Sequence, residues 1–139
     1  MKITLNNQDV YCYTNSRDID SDKPSIVFIH GSGMDHTVWT LAARHFARHG
    51  NNVIAVDLPG HGRSTGAPLE SIPAMADWLV GVLDALNIKT SAVVGHSLGS
   101  LIALDFSARQ GKSSVSTEDR TRMLRLIENM TLGRNAVTK

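Results

Sequence analysis

The sequence holds one cysteine, Cys12, so no intramolecular disulfide can form and no cysteine cluster can bind a metal. No apolar run approaches the roughly 20 residues needed to cross a bilayer. The first residues, Met1-Lys2-Ile3-Thr4-Leu5-Asn6-Asn7-Gln8, lack the apolar core of a secretory signal. A cytoplasmic protein without a membrane partner is expected. Neither sign of charge dominates: residues 1–110 carry 8 Lys+Arg against 10 Asp+Glu, and residues 111–139 carry 6 against 3. A mildly basic end of this size reads as solvated surface, so nucleic acid is not an expected partner. At 42% hydrophobic and 19% charged, the 139 residues have the composition of one ordinary globular domain. One further absence is positional. All six histidines (His30, His36, His45, His49, His61 and His96) lie in the first 96 residues, and none follows.

What is present is an alternation of two periodicities. Residues 1–15 alternate loosely, with Asn6-Asn7 between the halves, which predicts a β-hairpin. Three short continuous apolar runs follow: Ile26-Val27-Phe28-Ile29, Val53-Ile54-Ala55-Val56 and Ala92-Val93-Val94. Such runs suit strands of a parallel sheet buried on both faces. Between and after them come helical patterns. Val38, Leu41, Ala42 and Phe46 predict a helix near 37–49 closed by Gly50. Ile72, Met75, Leu79, Leu83 and Leu86 predict one over about 72–86, and a third covers 98–110. Strand and helix in turn define an α/β fold with a mostly parallel central sheet flanked by helices. After Gly111 the pattern changes. A polar stretch leads into Ser116-Thr117-Glu118-Asp119, a weak capping box ahead of Met123, Leu124, Ile127 and Met130, and a surface helix over roughly 117–130 is expected. The expected division is 1–110 and 111–139, with the α/β pattern ending after the third helix.

Gly95-His96-Ser97-Leu98-Gly99 fits Gly-x-Ser-x-Gly, and its position makes it informative. It stands where a buried strand ends and a helix begins, the context in which the pattern makes a nucleophile elbow. A turn that sharp strains the serine backbone, and the flanking glycines allow the close approach it needs. The helix N-terminus then favours developing negative charge beside Ser97, with the Leu98 N–H as one oxyanion donor.

Three blocks in this order resemble the α/β-hydrolase superfamily, in the branch of small serine esterases, C–C bond hydrolases and non-haem peroxidase-like enzymes. They are His30-Gly31-Ser32-Gly33 after the first apolar run, Asp57-Leu58-Pro59-Gly60-His61-Gly62-Arg63-Ser64 after the second, and the elbow after the third. The motif resemblance covers about residues 1–110. It implies Ser97 as nucleophile, the Ser32 N–H as second oxyanion donor, a small-molecule substrate, and neither cofactor nor metal. A serine rather than an aspartate in the elbow disfavours dehalogenase and epoxide-hydrolase chemistry. Gly33 and His36 stand beside the expected substrate mouth, His36 being equally readable as a merely exposed residue. His30 and His61 read as loop-fixing, His96 as a packing residue, Asp57 as the residue that holds its turn. His45 and His49 carry no assigned role.

In this family the triad runs Ser, then acid, then His. The carboxylates after Ser97 are Asp105, Glu118, Asp119 and Glu128, and no histidine follows. The expectation is therefore a serine hydrolase acting on an ester or similar acyl bond, present as an incomplete chain without its general base. Two alternatives are a ligand-binding module derived from such an enzyme and an enzyme completed by a partner chain. A sheet ending at the elbow strand would also leave an edge open to self-association.

Overall fold

A computed structural model describes residues 1–110. The expected segment 111–139, with its capping box and helix, lies outside the described residues. Strand β1 (Lys2–Leu5) and strand β2 (Gln8–Tyr13) form the hairpin, and Asn6 and Asn7 make its two-residue turn. Both have positive φ, 51° and 62°, the combination a tight primed turn requires and asparagine tolerates. Strands β3 (Ser25–Ile29), β4 (Asn52–Val56) and β5 (Ala92–Gly95) match the three apolar runs to within a residue. The sheet order is β1-β2-β4-β3-β5; β3 runs parallel to both β4 and β5, and β2 joins β4 antiparallel.

The helices are α1 (Thr40–Arg48), α2 (Ile72–Ala85) and α3 (Leu98–Gln110). Helix α2 starts where Ser71 Oγ accepts the Ala74 N–H at 3.1 Å, and it closes at Asn87, whose φ of 56° is the left-handed residue of a C-terminal cap. Side chains of β3 and β4 alternate between the two faces of the sheet, which separates the core into two clusters. Val27, Ile29, Ile54 and Val56 meet Leu79, Val82 and Leu83 of α2 and Ile102 and Phe106 of α3. Ile26, Phe28, Val53 and Ala55 meet Ala42, Ala43, Phe46 and Ala47 of α1. The result is three layers, with α2 and α3 on one face and α1 on the other. Leu79 is fully buried; removing a side chain of that size from water contributes roughly 1.5–3 kcal/mol.

One expectation fails in phase. The helical spacing puts Val38 and Leu41 on the inward face of the first helix, yet they are 51% and 76% exposed. Residues His36–Trp39 form a tighter 3-10 turn, and the α-helix begins only at Thr40. Val38 belongs to that turn and not to the α-helix, while Leu41 lies about 100° around α1 from Ala42, on the side opposite Ala43, and so away from the Ala42, Ala43, Phe46 and Ala47 face that meets the sheet. The face that does pack is alanine-rich, and small side chains let the helix lie close against β3 and β4.

Candidate active site

The β5–α3 turn is built from two glycines that cannot be anything larger. A Cβ on Gly95 would strike the Gly99 carbonyl and the Ser100 N, and one on Gly99 would strike the Ile29 carbonyl oxygen. The start of α3 therefore sits directly on the end of β3. Ser97 lies between those contacts with φ 54°, in the left-handed region that a side-chain-bearing residue avoids unless its surroundings force it. Its carbonyl accepts the Ser100 N–H at 2.9 Å and the Ser100 hydroxyl at 2.5 Å, which tie the turn to the first helical turn. Ser97 is exposed. The sequence placed it at a strand–helix junction, and there it stands.

The loop leaving β3 lies beside this turn. His96 donates its backbone N–H to Ile29 O at 3.1 Å, and a Cβ on Gly31 would stand 3.2 Å from His96 Nδ1. The expectation of a packing residue at His96 fails: its side chain is exposed along the edge of Gly31, because the elbow lifts residues 96 and 97 out of the sheet. Gly31 O accepts the Met34 N–H at 3.1 Å, with Ser32 and Gly33 between them. Gly33 has φ 72°, the positive value that a type II turn places at its third residue. Ser32 and Gly33 are both exposed. Among the described residues neither the Ser32 nor the Leu98 N–H is taken up in a hydrogen bond.

The histidines divide by what they hold. His30 has no exposed surface: its Nε2 accepts the Leu58 N–H at 3.0 Å and its Nδ1–H donates to Gly31 O at 2.7 Å. Accepting at Nε2 requires the neutral ring, and burial pushes its pKa below the ordinary 6.5. His61 donates from Nδ1 to Pro59 O at 3.0 Å inside its turn. His45 of α1 and His49, the residue that caps its end, stack at 4.3 Å.

His36 is buried, with only 7% of its surface exposed. Its backbone N–H reaches Asp57 Oδ1 at 2.6 Å, and its Nδ1 lies 3.0 Å from both oxygens of the same carboxylate. The ring packs against Tyr11 at 4.8 Å and Tyr13 at 5.9 Å. Asp57, fully buried, also accepts the Arg63 N–H at 2.9 Å, so it holds its turn as expected. The His36–Asp57 partnership has no signature in spacing, since 21 residues separate the two; only the parallel pairing of β3 with β4 brings the loop end to the strand end.

Asp35, His36 and Asp57 each bring a ligand atom within 4.8 Å of the others. Asp35 Oδ1 accepts the Thr37 N–H and hydroxyl at 2.8 and 2.5 Å, and His36 Nδ1 faces Asp57. Cys12 is fully buried with its thiol pushed up to about 12, chiefly by that burial, and offers no nucleophile. No helix among the described residues is long and apolar enough to cross a membrane.

Comparison with known proteins bears on the fold that carries this turn. The model of the alpha/beta hydrolase fold family matches residues 24–127, and the chain belongs to that family. The matched span runs past the three motif blocks by some distance. Over 83 residues the chain is 36% identical to (E)-2-((N-methylformamido)methylene)succinate hydrolase of Acinetobacter baylyi, covering 59% of this chain and 31% of the relative. Over 91 residues it is 37% identical to the sn-1-specific diacylglycerol lipase ABHD11 of Mus musculus, covering 65% and 30%. The crystal structure of a predicted CIB-like hydrolase from Thermoplasma acidophilum superposes with a TM-score of 0.73 at 23% identity, over 81% of this chain and 57% of that one, a likeness of fold. The chain spans about a third of the length of the curated relatives it matches.

Proposed function

We propose that this chain carries the nucleophile and oxyanion donors of a serine hydrolase acting on an ester or similar acyl bond. Ser97 is the nucleophile, and the Leu98 and Ser32 N–H groups receive the negative charge that develops on the attacked carbonyl oxygen. The carrying observation is Ser97 itself: exposed, at φ 54°, on a strand–helix turn closed by two glycines without room for a Cβ. Relatives named as a hydrolase and as a diacylglycerol lipase support the acyl-bond class.

A second reading rests on the histidines. His30 and His36 are buried and committed to the loops they hold, and no histidine follows Ser97. Within these 139 residues the serine hydroxyl has no evident base, so a base from residues beyond them or from a partner chain would complete the site, and without one the site binds a ligand without turning it over. The chain alone should hydrolyse p-nitrophenyl acetate feebly, since an unactivated hydroxyl contributes little; oxyanion stabilisation can still leave roughly 10³–10⁴-fold over water. The rate should change little in Ser97→Ala, and a fluorophosphonate should label Ser97 slowly, over hours. Labelling that persists in Ser97→Ala overturns the assignment of the nucleophile. A fast, Ser97-dependent rate governed by one ionisation near about 6.5 would show that a histidine acts as base after all.

A further inference from the structure

We infer that the buried His36–Asp57 pair is a positioning device for the loop over residues 31–35, and that through the Ser32 N–H it sets the reactivity of Ser97. The inference rests on the reading of Ser97 and Ser32 given above. The loop is tied at both ends. At its start His30 bridges Gly31 O and the Leu58 N–H. At its end the backbone and ring N–H groups of His36 both enter one carboxylate, that of Asp57, which has no exposed surface. Tyr11 and Tyr13 pack on the imidazole and restrict its rotation. The carboxylate is confined too: a Cβ on Gly62 would overlap it, and the Arg63 N–H holds its second oxygen.

Between these ties Ser32 and Gly33 are exposed, and the Gly31–Met34 bond is the backbone hydrogen bond that closes their turn. Where the Ser32 N–H points is therefore decided mainly by the two anchors. A charge-assisted pair in a dry setting is a stiff joint, because each donor would be left unsatisfied if it moved away. Both anchors also land just past the end of β4, at Asp57 and Leu58, so the exit of a single strand sets the loop's height above the sheet. An oxyanion donor must be placed to a few tenths of an ångström, which is the demand this joint answers. His36 acts through the loop and has no need to touch substrate.

The test uses the 139-residue chain and three variants: His36→Leu, His36→Asn, whose amide nitrogen takes the place of Nδ1, and Asp57→Asn, which keeps the shape but removes acceptor capacity. Fluorophosphonate labelling of Ser97 is followed by intact mass, and ¹⁵N{¹H} NOE values are read for the Ser32 and Gly33 amides. His36→Leu should slow labelling roughly tenfold or more, a partial loss of an oxyanion donor worth about 10²–10³, with the two amides becoming mobile. His36→Asn should restore both readouts, with labelling within about threefold of the parent, and Asp57→Asn should fall between, also carrying the test if His36→Leu does not fold. Folded His36→Leu or Asp57→Asn chains that label at the parent rate overturn the inference, as does slowed labelling that His36→Asn fails to restore. A parent chain modified somewhere other than Ser97 overturns the nucleophile reading and this inference with it; a parent modified at Ser97 alongside unaffected variants overturns the positioning role alone.

Discussion

His30 shows how much a single buried ring can decide. It joins β3 to β4 as a neutral imidazole, accepting at one nitrogen and donating at the other. Protonation would cancel the acceptor and place a charge where no water reaches. Burial lowers its folded-state pKa below 6.5, and His45 is shifted the same way by burial and then by its neighbour His49. The unfolded chain regains the ordinary value, so below it the unfolded state binds more protons than the folded one. Stability should therefore be full above about pH 6.5 and fall as the pH drops through and below that value. Asp35 is also lowered, through its hydrogen bonds to Thr37, but its loss belongs near and below the ordinary 3.8, outside this window. Urea midpoints measured from pH 5 to 8 should decline on the acid side, and His30→Asn should flatten the profile. A parent midpoint that stays level from pH 7.5 to 5 would contradict the account.

Among the elements, the elbow depends on backbone contact rather than on side-chain packing. Gly95 meets the Gly99 carbonyl, and Gly99 meets the carbonyl of Ile29, so strand, turn and helix touch main chain to main chain. Nothing there can yield as a flexible side chain would. Gly99→Ala should cost about 2–3 kcal/mol or more in chemical denaturation, and Gly95→Ala a similar amount, through overpacking against rigid backbone. An effect within about 0.5 kcal/mol for either variant would mean that the turn is looser than described. At the far end of α3, Arg109 links Asp77 of α2 at 3.0 Å with Asp105 at 2.9 Å, an exposed arrangement of small worth beside the buried contacts of Ile102 and Phe106.

For the molecule as a whole, the two sides of the sheet are unequally covered. Strands β3 and β4 are buried along their whole length, whereas Ala92, Val93 and Gly95 of β5 are only partly so. Among the described residues β5 pairs with β3 alone, and α3 beside it exposes Leu101 at 53% and Leu104 at 68%. An unpaired edge beside exposed leucines favours association. We expect the 139-residue chain to self-associate at tens of micromolar in sedimentation velocity, and the Leu101→Glu/Leu104→Glu double variant to shift toward monomer. A parent chain that sediments as a monomer throughout that range would refute this.

Local chemistry was enough to announce most of the architecture. Continuous apolar runs marked β3, β4 and β5, Asn6-Asn7 marked the hairpin turn, and Gly-x-Ser-x-Gly after a buried run placed Ser97, because each of these signals depends on neighbours within a few residues. The face of α1 was less legible: no composition cue distinguishes His36–Trp39 from a first α turn, and the small Ala43 and Ala47 mark the inward side less plainly than Leu41 marks the outward one. Other facts belong to tertiary structure alone. The order β2-β4-β3-β5, the fit of Gly99 against Ile29, and the burial of His36 on Asp57 all join residues far apart in the chain. Whether a histidine is an exposed base or a buried joint is settled by what the fold stacks around it. That surrounding is assembled by strand pairing across 20 to 70 residues, a distance over which periodicity and motif carry no information.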